Sequence, residues 1–429
     1  MLLRNILAIV VATSAAASAA TSIQTQTAPT PAGGDQVRTV VAEIDGAVGG
    51  VAVDRLGYIF VADFRDTVWR VAPDGRIEPF ATGLYGPSGN ALDSKGRLLQ
   101  SNFAGHYVTR IDRDGAKTVV ADGLNGPVGI AVNPDDSFVV CNCSGNTVSA
   151  VSTDGQVLPL ATSPLLNCPN GIVRGPDEHY YVVNYGDARM LRVTPRGEVS
   201  EFAVLPGGGN GHVTFAAGAF YATSFQGHRI YRITLDGEVA LVAGTGAVGE
   251  SDGNALGQAT FSWPNGIAAG PQGDRLYVND FVNRYPPTLP APPAPRSSLR
   301  QITFESLPAL LSRVLAEGDV DAMIARYREW KGAPGRATIN TELPINAFGY
   351  QLMNAGNLDA AIAVFTLNTE SYPKSANVWD SLGEAYMKAG DKAKAIANYE
   401  KSLELNPGND NAVAMLKILR GGGAAGAGS

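Results

Sequence analysis

The chain has 429 residues, 17% of them charged, and a formal net charge of −7 at pH 7. That length exceeds one ordinary hydrophobic core, so more than one globular domain is expected. A mildly acidic chain without a basic tract offers nucleic acid no electrostatic footprint and gives an anionic membrane surface nothing to attract.

Residues 1–20 carry Arg4, an apolar run over 6–11, and then Ala17-Ser18-Ala19. The apolar run is too short to span a bilayer, so the segment reads as a secretory signal peptide cut after Ala19 or Ala20 rather than an anchor. The mature protein is therefore expected in the periplasm or outside the cell. Residues 21–36, rich in Thr, Gln, Pro and Gly, are expected to be a disordered linker.

Between residues 37 and 304 one unit repeats. Asp74-Gly75, Asp114-Gly115, Asp154-Gly155, Arg196-Gly197 and Asp236-Gly237 place their glycines 40, 40, 42 and 40 residues apart. A period of about 40 with short apolar runs is the mark of propeller blades. The blades start at Val48-Gly49-Gly50, Gly86-Pro87-Ser88-Gly89, Gly126-Pro127-Val128-Gly129, Pro169-Asn170-Gly171, Gly209-Asn210-Gly211 and Pro264-Asn265-Gly266, which predicts a six-bladed β-propeller. The last blade lacks an outer strand of its own, and the β-rich run 37–43 is free to supply it, removing both exposed edges of an open arc.

Starts of first strands and ends of second strands share one rim. The second strands end in Asp63-Phe64, Asn102-Phe103, Asn142-Cys143, Asn184-Tyr185, Ser224-Phe225 and Asp280-Phe281. Asn and Asp bind their own backbone in turns, so a recurring amide is scaffold as readily as ligand contact. Departures from the repeat are more telling. Where other blades place Ile130, Ile172 or Ile267 after the glycine, two are expected to place Asn90 and His212, and a polar group there needs a partner or a ligand.

His212, beside Asn210 at the channel mouth, is the leading candidate base, with Asp63 and Asp280 as further catalytic candidates. Asn90, Asn102, Asn142, Asn184, His106 and His228 are candidate ligand contacts, the two histidines standing on opposite sides of the ring. Asn170, Asn210 and Asn265 are candidate ligands of a divalent metal such as calcium or zinc. Among the three cysteines, Cys143 with Cys168 is the preferred disulfide, leaving Cys141 buried. The proline run over 285–295 interrupts the last blade and is expected to arch over the same rim.

From Glu305 the period becomes helical. Gly349 and Gly383, Gly356 and Gly390, and Pro373 and Pro407 each stand 34 residues apart, which predicts two tetratricopeptide repeats within an α-helical domain over 305–420, then a flexible tail over 421–429. Residues 307–331 are expected to form a preceding helix pair divided near Gly318. Such repeats hold protein partners or support a dimer.

On these motifs, residues 37–304 resemble the NHL-repeat and SMP-30/gluconolactonase-like six-bladed propellers, and residues 343–411 resemble tetratricopeptide repeats. The gluconolactonase resemblance implies a metal at the channel mouth that activates water for lactone or ester hydrolysis, held by a first-blade glutamate, an asparagine and a later aspartate. Pro169-Asn170-Gly171 matches the asparagine motif. The first blade offers Val48-Gly49-Gly50 without the glutamate, and Asn265 or Asn210 stands where the aspartate belongs. Related propellers also include metal-dependent lyases and non-enzymatic binding modules, so the resemblance implies a small polar ligand or substrate, or a protein-interaction scaffold using propeller face and helical groove.

Overall fold

The computed structural model describes residues 35–282, 295–332 and 340–421. The expected signal peptide, nearly all of the linker, most of the proline run and the tail after Gly421 lie outside the described residues.

The protein is a six-bladed β-propeller followed by α-helices. Five sheets have four antiparallel strands in simple sequence order, each strand of four to seven residues joined to the next by a tight turn, save for the three-residue first strand of blade one, and their second strands are buried on both faces. The turns from third to fourth strand carry the periodic glycines, which sit at φ between 87° and 92° and so occupy backbone space that side chains avoid. Blade faces pack on one another through apolar clusters, such as the one joining Leu99, Val108, Ile130 and Val140 of blades two and three.

The sixth sheet closes the ring. Its order is Gly253–Asn254, Gln36–Asp45, Arg296–Thr303, Arg275–Phe281, Ile267–Ala269, so the N-terminal strand fills the place outside the last blade's third strand. The short strand Gly253–Asn254 then covers the outer edge at Gln36 and Val37. An insertion before blade six holds this closure. Asp252 accepts from Thr39 N at 2.9 Å and Oγ1 at 3.0 Å, and Arg300, fully buried, reaches Asp252 at 2.8 Å, Ser251 O at 2.9 Å and Thr260 O at 3.0 Å. Its guanidinium also lies over the Phe261 ring.

Seven helices follow among the described residues: α1 (Leu307–Glu317), α2 (Val320–Gly332), α3 (Glu342–Asn354), α4 (Leu358–Ser371), α5 (Ala376–Lys388), α6 (Lys392–Leu405) and α7 (Asp410–Gly421). The helix α1 starts at Ser306, whose side chain accepts from Ala309 N. Successive helices pack as antiparallel hairpins around Leu311, Met323, Ile345 and Val364, then Phe365 and Leu382, then Tyr399 and Leu416.

Candidate functional site

Strand register defines the propeller's axis. In blade three Pro127 pairs with Asn142 and Ile130 with Val140, which leaves Gly129 just before Ile130 at the innermost point. The same position is Gly50, Gly89, Gly171 and Gly266 in four other blades. Adjacent blades touch there backbone to backbone. A Cβ added at Gly89 or Gly129 would lie 2.3 Å from a carbonyl oxygen of the next blade, and one at Gly171 would lie 2.6 Å from His212 Cα. The glycines at the blade starts therefore serve close approach.

This register corrects the expected place of His212. Blade five pairs Asn210 with Ser224 and Val213 with Ala222, so Val213 is the counterpart of Ile130 and His212 is the counterpart of the ring glycine. Five glycines and one histidine make the innermost ring. Its backbone N–H donates to Asn265 O at 3.0 Å, as Gly50 N does to Ser88 O at 2.8 Å. The imidazole is 7% exposed, its Nε2 has no partner, and burial pulls its pKa down to about 4, so it is neutral at pH 7. Asn90 does stand at the isoleucine position, paired across the strand with Gln100, and its Nδ2 reaches Gly50 O at 3.5 Å.

The three asparagines expected to share a metal are not equivalent. Asn170 and Asn265 occupy the position before the ring residue, and each donates from Nδ2 to the next blade, to Asn210 O at 3.2 Å and Val48 O at 3.0 Å. They staple neighbouring blades. Asn210 lies one position earlier and donates to Asp187 O at 3.3 Å.

Three of the second-strand ends, Asn102, Asn184 and Asp280, clamp the loop that opens their own blade. Asn102 Oδ1 accepts from Tyr85 N at 3.1 Å, Asn184 Oδ1 from Asn167 N at 3.3 Å, and Asp280 from Ser262 N at 2.8 Å. Asn142 instead donates to Thr147 Oγ1 at 3.2 Å and Ser149 Oγ at 2.9 Å. Asp63 Oδ1 takes the N–H groups of Arg65, Asp66 and Thr67. Asp63 and Asp280 are fully buried, and burial raises both carboxyls against the pull of those N–H donors. Neither is placed to act on a ligand, because each is enclosed in its blade.

His106 and His228 are also structural in this geometry. Their Nδ1 atoms accept from Gly126 N at 3.1 Å and Trp263 N at 3.3 Å, each tying a second-to-third-strand turn to the next blade. Cys143 and Cys168 form a disulfide joining blade three to the start of blade four, and Cys141 is a buried thiol whose pKa burial pushes up.

An aromatic belt crowns the ring, built from the residues that follow the second-strand ends. The residue after each second-strand end is Phe64, Phe103, Tyr185, Phe225 or Phe281, with the disulfide filling the same station in blade three. Ring centroids are 5.6 Å apart for Phe64 and Phe103, 5.5 Å for Tyr185 and Phe225, and 5.9 Å for Trp263 and Phe281. Phe103 packs on Val128 and Cys143. The signal was the repeat itself, since a recurring aromatic at a rim position is costly unless it covers something.

Among the described residues no three His, Cys, Asp or Glu side chains converge as metal ligands. Neutral amide oxygens with two carboxylates enclosed in separate blades, Asp63 in blade one and Asp280 in blade six, do not fit calcium or zinc. On the opposite rim, two grooves of about 740 Å³ and 610 Å³ run between blades two and three and between blades one and two. The larger is lined by Arg97 and Arg110 but also by Asp93, Asp135, Asp136 and Asp154. No sequence candidate falls there.

Comparison with known proteins agrees with the two architectures. Residues 376–409 match the tetratricopeptide repeat family. Cellulose synthase operon protein C of Escherichia coli (strain K12) is 35% identical over 77 residues, 17% of this chain and 7% of that protein. The chain thus spans a small fraction of the curated relatives it matches. An auxiliary nutrient binding protein from Bacteroides thetaiotaomicron VPI-5482 superposes with a TM-score of 0.53 at 14% identity, over 63% of this chain and 77% of that one. A gluconolactonase from Xanthomonas campestris gives 0.49 at 18% identity, over 62% and 89%. At such identities the likeness concerns fold alone, and the first of the two structures carries it.

Proposed function

We propose that this is an exported, non-catalytic binding protein, whose propeller mouth holds a small polar ligand between the aromatic belt and the His212 ring position. The observation that carries the reading is the single replacement of a ring glycine by histidine. A side chain at the tightest point of the axis costs packing, and a neutral imidazole whose buried Nε2 has no protein partner is suited to hold a ligand. The disulfide agrees with an oxidising compartment.

Lactone or ester hydrolysis is the weaker form of the same reading. It has a base in His212, but the neighbouring Thr223 hydroxyl is spent on Asn265 O at 2.6 Å, and a pKa near 4 makes the imidazole a poor proton acceptor. A panel of lactones and esters assayed beside calorimetric binding separates the two. Binding that His212→Ala abolishes, without turnover, supports the proposal; turnover lost in the same variant replaces it with a hydrolase.

The tetratricopeptide match favours a second role for the helices, docking a protein partner. Export is tested by N-terminal sequencing of the mature protein, expected to begin at Ala20 or Thr21.

A further inference from the structure

Three grooves open on the rim opposite the mouth, and they differ in charge. The two larger ones carry aspartates, Asp93 and Asp136 being common to both. The third, about 200 Å³ between blades six and one, is lined by Arg38, Arg55 and Arg275 and, among the described residues, by no acidic one. In a chain of net charge −7 this is a local excess of positive charge.

Each arginine comes from a different element. Arg38 lies on the closing strand Gln36–Asp45 opposite Gln301, whose Oε1 accepts from the guanidinium at 2.9 Å while its Nε2 donates to Thr303 Oγ1 at 2.7 Å. Gln301 is buried, so this amide holds the arginine in place without neutralising it. Arg55 stands on the exposed turn between the first two strands of blade one, where the neighbouring Asp54 spends Oδ1 on the N–H groups of Leu56 and Tyr58. Arg275, in blade six, is paired with Asp274 at 2.6 Å. Among the described residues no carboxylate pairs with Arg38 or Arg55, so the cup holds two positive charges without a counter-charge.

Volume and chemistry narrow the occupant. Pockets for whole ligands run from about 300 to 1,000 Å³, so this one admits a head group. Guanidinium forks match the oxygens of phosphate and sulfate, and two uncompensated charges call for a dianion rather than a single carboxylate. We propose that this cup is a binding site for a dianionic oxyanion, a phosphate or sulfate group, clamped by Arg38 and Arg55 with Arg275 beside them. Val40, Leu56 and Pro271 supply apolar wall on which an organic body can rest. Because Arg38 belongs to the closing strand and Arg55 to blade one, a bound dianion bridges the seam of the ring and stabilises it through the free energy of binding.

The test uses the full-length protein in calorimetry at pH 8 and constant ionic strength, where phosphate is a dianion, with inorganic phosphate, phenyl phosphate, benzoate and phenol as probes. Both phosphates should bind, benzoate at least tenfold more weakly, and phenol not at all. Tighter binding of phenyl phosphate than of inorganic phosphate assigns the site to an ester, and equal binding assigns it to the free ion. Arg55→Gln, on an exposed turn, should weaken phosphate about tenfold, and Arg38→Gln should do the same. Arg55→Lys keeps the charge without the fork and should lose less. Phosphate should also raise the melting temperature of the propeller, a gain that Arg55→Gln removes. Benzoate binding as tightly as phenyl phosphate overturns the dianion. Phosphate binding that survives both arginine changes, or no binding of either phosphate, overturns the site.

Discussion

Propeller and helical tail both rely on glycine for close approach, yet they differ in what the approach couples. In the propeller, each ring glycine meets the backbone of the next blade, and the sixth blade meets the first, since a Cβ at Gly266 would lie 2.3 Å from Gly49 O. In the helices, Gly349 and Gly383 meet the Phe365 and Tyr399 rings of the following helix and nothing returns to the start. A closed ring has no end from which to fray, whereas a solenoid is a sum of neighbours. The propeller should lose stability as one body and the helices piece by piece.

The strongest way to break this contrast is at the closure. Arg300→Ala leaves Asp280 buried without its guanidinium partner and frees Asp252 and Ser251 of the insertion from the strand Arg296–Thr303, so a loss of about 3–5 kcal/mol is expected. Calorimetry should show the whole β transition moving down while the helical transition holds. A β transition that splits in two, with only blade six melting early, would show that the ring does not act as a unit.

A smaller loss is expected from the axis. Gly129→Ala puts a methyl 2.3 Å from Asn170 O, which backbone must yield to, for about 1–3 kcal/mol. Gly123→Ala is the control for backbone conformation, because Gly123 has open space around it but a φ of 73°. A cost that comes from crowding at the axis does not fall with side-chain size, so Gly129→Ser should cost at least as much.

His212 gives the same comparison a pH axis. Its folded pKa lies below its ordinary value of 6.5, so the unfolded chain binds the extra proton first as pH falls. Stability from this group is fully present above about pH 6.5 and declines between there and about pH 4, by up to about 3 kcal/mol. The wild-type midpoint should fall across that window, and His212→Gln should remove that part of the slope without touching the helical transition. An unchanged slope in the variant would place the acid sensitivity elsewhere.

The ring and solenoid were legible because their periods are written in glycine and proline, residues that turns and close contacts demand. His212 was legible as an anomaly but was misplaced by one residue, since Asn210-Gly211 mimics Asn170-Gly171 and only the strand pairing shows that Val213, not His212, matches the isoleucines. The roles of Asn102, Asn184 and Asp280 were hidden because a clamp and a ligand contact call for the same side chains. Which one an amide serves depends on a loop about 17 residues upstream, a distance that local pattern does not encode.

The smallest effect compares the two helical repeats directly. Asn357 and Asp391, 34 residues apart, each cap a helix by accepting from the N–H three residues on, Ala360 at 3.3 Å and Lys394 at 3.0 Å. Replacing either with alanine should cost about 1 kcal/mol. If the solenoid is a sum of neighbours, the two losses add in the double variant, and hydrogen exchange rises first in α4 for Asn357→Ala and in α6 for Asp391→Ala. Exchange rising equally in both helices after either single change would mean that the tail, like the ring, melts as one body.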